Sequence, residues 1–78
     1  MANPTITPAA SAQLTKGMTA EIVDCPHYGQ IIELTGKRGA CYQSIPNRHD
    51  GFHRFIEPRA PRAKFAIVDG MIALASEV

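Results

Sequence analysis

The chain lacks tryptophan, has only two cysteines, and carries aromatic side chains at just 6% of its positions. Two cysteines cannot build the multi-bridge framework of a small secreted domain, so Cys25 and Cys41 read as reduced thiols. No apolar run approaches the roughly 20 residues that a membrane-spanning helix needs, because Asp69-Gly70 breaks the richest stretch, Phe65–Val68 and Met71–Ala75. The first residues carry no positive n-region and no apolar run of signal-peptide length, which disfavours secretion. The expected setting is the cytoplasm of a bacterial or phage-type system. Eight basic and seven acidic residues leave a net charge of +1, so no global field draws the chain to nucleic acid or membrane. With 78 residues there is room for one domain and no deep substrate cavity.

Apolar residues at 45% and charged residues at 19% are enough for a folded core. Residues 1–15, rich in Ala, Pro, Ser and Thr and without periodicity, read as a flexible tail with at most a helical turn near Ala9–Leu14. Residues 16–78 form the single β domain. From Met18 to Cys25, Met18, Ala20, Ile22 and Asp24 alternate with Thr19, Glu21, Val23 and Cys25, a strand pattern that Pro26 ends. Were this strand at a sheet edge, it could pair with its copy in a second chain. Gln30–Thr35 is a second strand, with Ile32 and Leu34 sharing a face. The glycines of Gly36-Lys37-Arg38-Gly39 predict a tight turn into an antiparallel strand over Ala40–Ile45. At the C-terminal end, Asp69-Gly70 between two apolar runs is the preferred type I′ hairpin turn. The long segment from Pro46 to Arg62 leaves room for a short strand at Phe52–Ile56.

Strand, glycine turn and strand in Met18–Asp24 and Gly29–Gly36, followed by one long excursion and a closing hairpin, resemble the SH3-like small barrels over about residues 16–76. The fold class implied is all-β: a single five-stranded SH3-like barrel or a strongly bent antiparallel sheet. Barrels of this class are typically binding modules for peptides, RNA or DNA, and occur in many prophage and ribosome-associated proteins. Their proline-ligand members carry a Trp that this chain lacks, so that function is not carried over.

Charge is unevenly placed. Lys37, Arg38, Arg48, Arg54, Arg59, Arg62 and Lys64 face only Asp50 and Glu57 within residues 37–64, while both flanks are acidic. Tyr42, Phe52 and Phe55 are interleaved with these cations. The combination suits docking on a protein through Arg and Phe anchors, and it equally suits phosphate-backbone binding with base stacking. A plainer reading leaves the arginines solvated while Phe52, Phe55 and Ile56 hold the loop on the barrel. Cys25, Cys41, His49 and His53 are the soft ligands that a structural zinc would use, although no paired-ligand spacing frames them. No cofactor motif and no acid–base set stands out. The expectation is a non-catalytic binding or accessory module that docks on a larger complex through the basic, aromatic loop, with nucleic-acid backbone binding as the alternative and a zinc-stabilised domain third.

Overall fold

The computed structural model describes residues 5–14, 18–36 and 38–78. Elements follow in the order β1 (Thr5–Ile6), α1 (Pro8–Leu14), β2 (Met18–Cys25), β3 (Gly29–Gly36), β4 (Cys41–Pro46), β5 (His53–Phe55), β6 (Phe65–Val68) and β7 (Met71–Leu74), closed by a 3₁₀ turn at Ala75–Glu77. Among the described residues one seven-stranded sheet in the order β1-β7-β6-β5-β4-β3-β2 curls into a half-barrel. The all-β class inferred from alternation is therefore present, with seven strands in place of five.

Where turn chemistry was strong, sequence and structure coincide. Asp69 and Gly70 both take positive φ, 49° and 76°, as a type I′ turn requires, and β6 and β7 pair across it from Val68↔Met71 to Phe65↔Leu74. β2 and β3 pair without a bulge from Met18↔Gly36 to Cys25↔Gly29. The short strand in the long excursion is His53–Phe55.

The flexible tail needs correcting. Of residues 1–15, those from Thr5 to Leu14 are built into the fold: β1 pairs parallel with β7, and α1 lies against the concave side of the sheet. Thr7 caps the helix, its Oγ1 accepting from the Ala10 N–H at 3.2 Å, and Pro8 occupies the first helical position, where no N–H is required. Ala10 and Leu14, one turn apart, are 0% and 1% exposed among Ile32, Leu34, Phe65 and Ile72. A half-barrel leaves one side of its core open, and this helix covers it. The Thr7 hydroxyl also donates to Glu77 Oε2, which accepts from the Leu74 N–H as well, so both ends of the described fold are tied together.

The curl has its corner in β4. Pairing of β3 with β4 runs from Thr35↔Cys41 to Glu33↔Gln43 and stops. At the next step the Ile32 N–H donates to the side-chain Oγ of Ser44 at 2.8 Å, and β4 turns away to pair with β5 through Ser44↔Phe55, Ile45↔Arg54 and Pro46↔His53. Such a strand, shared between two ladders, is how a sheet turns a corner. Among the described residues no helix is long and apolar enough to cross a membrane.

Candidate functional site

Alternation along the strands sorts the candidate residues by face. On β5, His53 and Phe55 point inward and Arg54 outward, so the following Ile56 lies with Arg54 on the outside. Phe55 is 8% exposed and meets Phe65 edge-on at 6.0 Å between ring centres. Tyr42 packs half-buried against the same core, and Phe52 is half-buried at the end of the Asn47–Gly51 turn. Two of the three aromatics expected at a binding surface are thus core residues. The exposed aromatic is Tyr28, 52% accessible in the β2–β3 turn.

The basic residues also divide. Lys37 lies outside the described residues. Arg38, exposed in the β3–β4 turn, is separated from the Asn47–Gly51 turn by the length of β4, about 20 Å at the usual rise of a strand. Arg59 lies against a different surface, near Gln13 and Met18. Arg48, Arg54, Arg62 and Lys64 instead surround Ile56. That side chain is 69% exposed and stands where three shallow grooves of about 370, 390 and 370 Å³ meet. The first groove is mixed, with Tyr28, Ile31, Ile45 and both thiols beside the polar Gln43, Ser44 and Glu57 at the β3–β4 corner. The other two carry the cations, Arg48 and Arg54 in one, Arg54, Arg62 and Lys64 in the other, where Glu57 stands beside them. The anchoring role expected for Ile56 is therefore corrected: it projects from the loop, and Ala60, 6% exposed, holds the loop to the core.

Asp50 organises the cations. Its Oδ2 accepts from Arg54 at 3.2 Å and from Lys64 at 3.3 Å, and its Oδ1 accepts from the Phe52 N–H at 3.0 Å. That backbone bond first, and then Lys64 and Arg54, hold its carboxyl below the usual carboxylate range. Arg54 and Lys64 are consequently aimed by a shared carboxylate, which lowers the entropy lost when a partner orders them.

The soft ligands are not gathered. Among the described residues no group of three or more His, Cys, Asp or Glu side chains stands together. Cys25 and Cys41 are free thiols, opposite Gly29 and Thr35 of β3 and thus six residues apart along that strand. Desolvation and the neighbouring Glu33 push the Cys41 thiol up, away from the thiolate that attacks or binds metal. His53 is 7% exposed on the inner face, where its Nδ1 lies 3.1 Å from Ser44 Oγ. Ser44 is 1% exposed and its hydroxyl accepts the Ile32 N–H, so this Ser–His contact braces the corner of the sheet.

Burial lowers the pKa of His53, because the charged ring loses its hydration. The unfolded chain takes up this proton first as pH falls through about 6.5, so stability is expected to be full above that value and to decline below it. Thermal melts between pH 7.5 and 5 check this, with a flatter profile expected in His53→Gln. No protein family, curated protein or solved structure matches the chain, so what the surface does is read from its own residues.

Proposed function

We propose that the protein is a non-catalytic docking module that binds another protein through Ile56 and the cations around it, as an accessory part of a larger bacterial or phage-type complex. The observation that carries this reading is the position of Ile56, a large aliphatic side chain held in solvent where three grooves meet, flanked by Arg48, Arg54, Arg62 and Lys64. Arginine is enriched at interface hot spots, and a large apolar side chain held in solvent beside it is surface that a partner would bury. Stacking along a strand of bases asks for several exposed aromatics, and with Phe55 and Tyr42 packed in the core Tyr28 is the one exposed aromatic beside Ile56, which favours a protein partner over a nucleic acid. The free thiols suit a reducing compartment.

The test compares Ile56→Asp with an Arg54→Glu/Arg62→Glu double variant. Ile56 and Arg62 are exposed, whereas Arg54→Glu also breaks the pair with Asp50, so thermal melts of both variants accompany the binding assay. Immobilised wild-type protein is expected to retain a specific partner from a bacterial lysate, and each variant to lose at least about tenfold in affinity for it, as hot-spot truncation does. Retention unchanged in both variants sinks the reading. Salt-sensitive binding of a single-stranded oligonucleotide that Ile56→Asp leaves intact and the arginine reversal abolishes would replace it with phosphate-backbone binding.

A further inference from the structure

Of the three grooves that meet at Ile56, one holds cations without a carboxylate. It lies between the end of β4, the turn that follows and β5, has a volume of about 390 Å³, and is walled by Ile45, Pro46 and Ile56 with Arg48, His49 and Arg54 at its rim. The groove on the other side of Ile56 has Glu57 among its cations, and the mixed groove at the β3–β4 corner has Glu57 as well. Positive charge beside an apolar wall is thus least compensated between Arg48 and Arg54.

The two arginines are held by different devices. Arg48 sits on a turn that closes on itself: the Gly51 N–H donates to the Asn47 carbonyl at 2.8 Å, the Asn47 N–H to the Phe52 carbonyl at 2.9 Å, and the His49 N–H to Asn47 Oδ1 at 2.9 Å. Among the described residues no carboxylate pairs with Arg48. Arg54 gives one nitrogen to Asp50 at 3.2 Å, and because Asp50 also takes Lys64, one carboxylate serves two cations. Exposed ion pairs contribute little by themselves, so a ligand of this groove also needs an apolar group for the wall.

Resting on the docking reading above, we propose that this groove takes an acidic linear segment of the partner protein, with a large aliphatic side chain of the segment against Ile45, Pro46 and Ile56 and its neighbouring carboxylates on Arg48 and Arg54. Carboxylates meet guanidinium groups in two-pronged pairs, and Arg48 has its whole fork available for one. The apolar wall selects a peptide over a phosphate chain, whose backbone brings no aliphatic side chain to it. Glu57 sets the direction, since it lowers the positive charge beyond Ile56 and leaves the Arg48 side as the place for the carboxylates.

Amide NMR titrations of the protein with capped peptides at about 1 mM test this, a concentration suited to the weak binding of short segments. The probes are Glu-Glu-Leu-Glu-Glu, Glu-Glu-Ser-Glu-Glu, Lys-Lys-Leu-Lys-Lys and a single-stranded oligonucleotide. The first is expected to shift the amides of Ile45, Arg48, His49, Arg54 and Ile56, to bind at least about threefold more tightly than each of the others, and to weaken with salt. Arg48→Glu alters an exposed position with no ion pair to lose. It is expected to weaken the glutamate–leucine peptide at least about fivefold and to strengthen the lysine peptide, a reversal that loss of folding does not produce. Equal binding of the serine peptide, tighter binding of the oligonucleotide, or an Arg48→Glu variant that keeps the wild-type preference overturns the inference. If capture from a lysate depends on Ile56 while no peptide shifts these amides, the acidic segment is excluded and the docking reading stands; if neither is seen, both fall.

Discussion

Leu14→Ala is expected to destabilise the protein by about 3 kcal/mol, within the range of ~2–5 kcal/mol for truncating a fully buried leucine. Leu14 is 1% exposed and closes the open side of the half-barrel together with Ala10. Few alternative side chains can collapse into the space it vacates, because the sheet has no strand there. For a chain of this size, total stability is on the order of 4–12 kcal/mol, so the loss is a large fraction of the whole. The melting temperature should fall by more than about 10 °C. Gln13→Ala, at the exposed neighbouring position, should stay within about 0.5 kcal/mol of wild type. If the two variants melt together, residues 5–14 contribute nothing to the core and act as the tail that their composition suggested.

Ser44→Ala should cost a similar amount for a different reason. The substitution removes no significant volume, but it strips the Ile32 N–H of its acceptor and His53 Nδ1 of its partner, both in the interior. An unsatisfied buried polar group costs ~1–3 kcal/mol, so a combined loss of about 3 kcal/mol is expected. Urea denaturation measures the total. Amide exchange locates it, because the Ile32 amide should exchange faster in the variant while those of the β6–β7 hairpin change only with global stability. Unchanged protection at Ile32 would mean that the corner is held without the Ser44 hydroxyl. Retention of the hydroxyl in Ser44→Thr should recover part of the stability.

The proposed docking surface was half legible beforehand. The segment carrying the arginines was found because composition alone marks it: cations accumulate between Arg48 and Lys64, and the flanks are acidic. Which apolar residue accompanies them was not, because Phe52, Phe55 and Ile56 look alike in a loop of uncertain register. Once β5 pairs with β4 through Ile45↔Arg54, the period of two sends Phe55 inward and leaves Ile56 outside. Tyr28 escaped notice for a related reason. An aromatic beside Pro26 and Gly29 is in a turn, and nothing local says that the groove at the β3–β4 corner opens next to it.

By itself the sequence determined the local pieces whose geometry is written in a few adjacent residues. Asp69-Gly70 dictates a type I′ hairpin, the alternation from Met18 to Asp24 and from Gln30 to Thr35 dictates strands, and Pro26 dictates where the first of them ends. The tertiary structure alone decided the corner at Ser44, the burial of α1 and the exposure of Ile56. A helical turn near Ala9–Leu14 was legible, but a seven-residue helix has too few internal hydrogen bonds to be stable alone, and it is held because Ala10 and Leu14 find an open core to fill. A serine in a strand looks like any polar position until its hydroxyl stands opposite an N–H that a ladder has released. Both depend on partners distant in the chain, which only the folded sheet brings together.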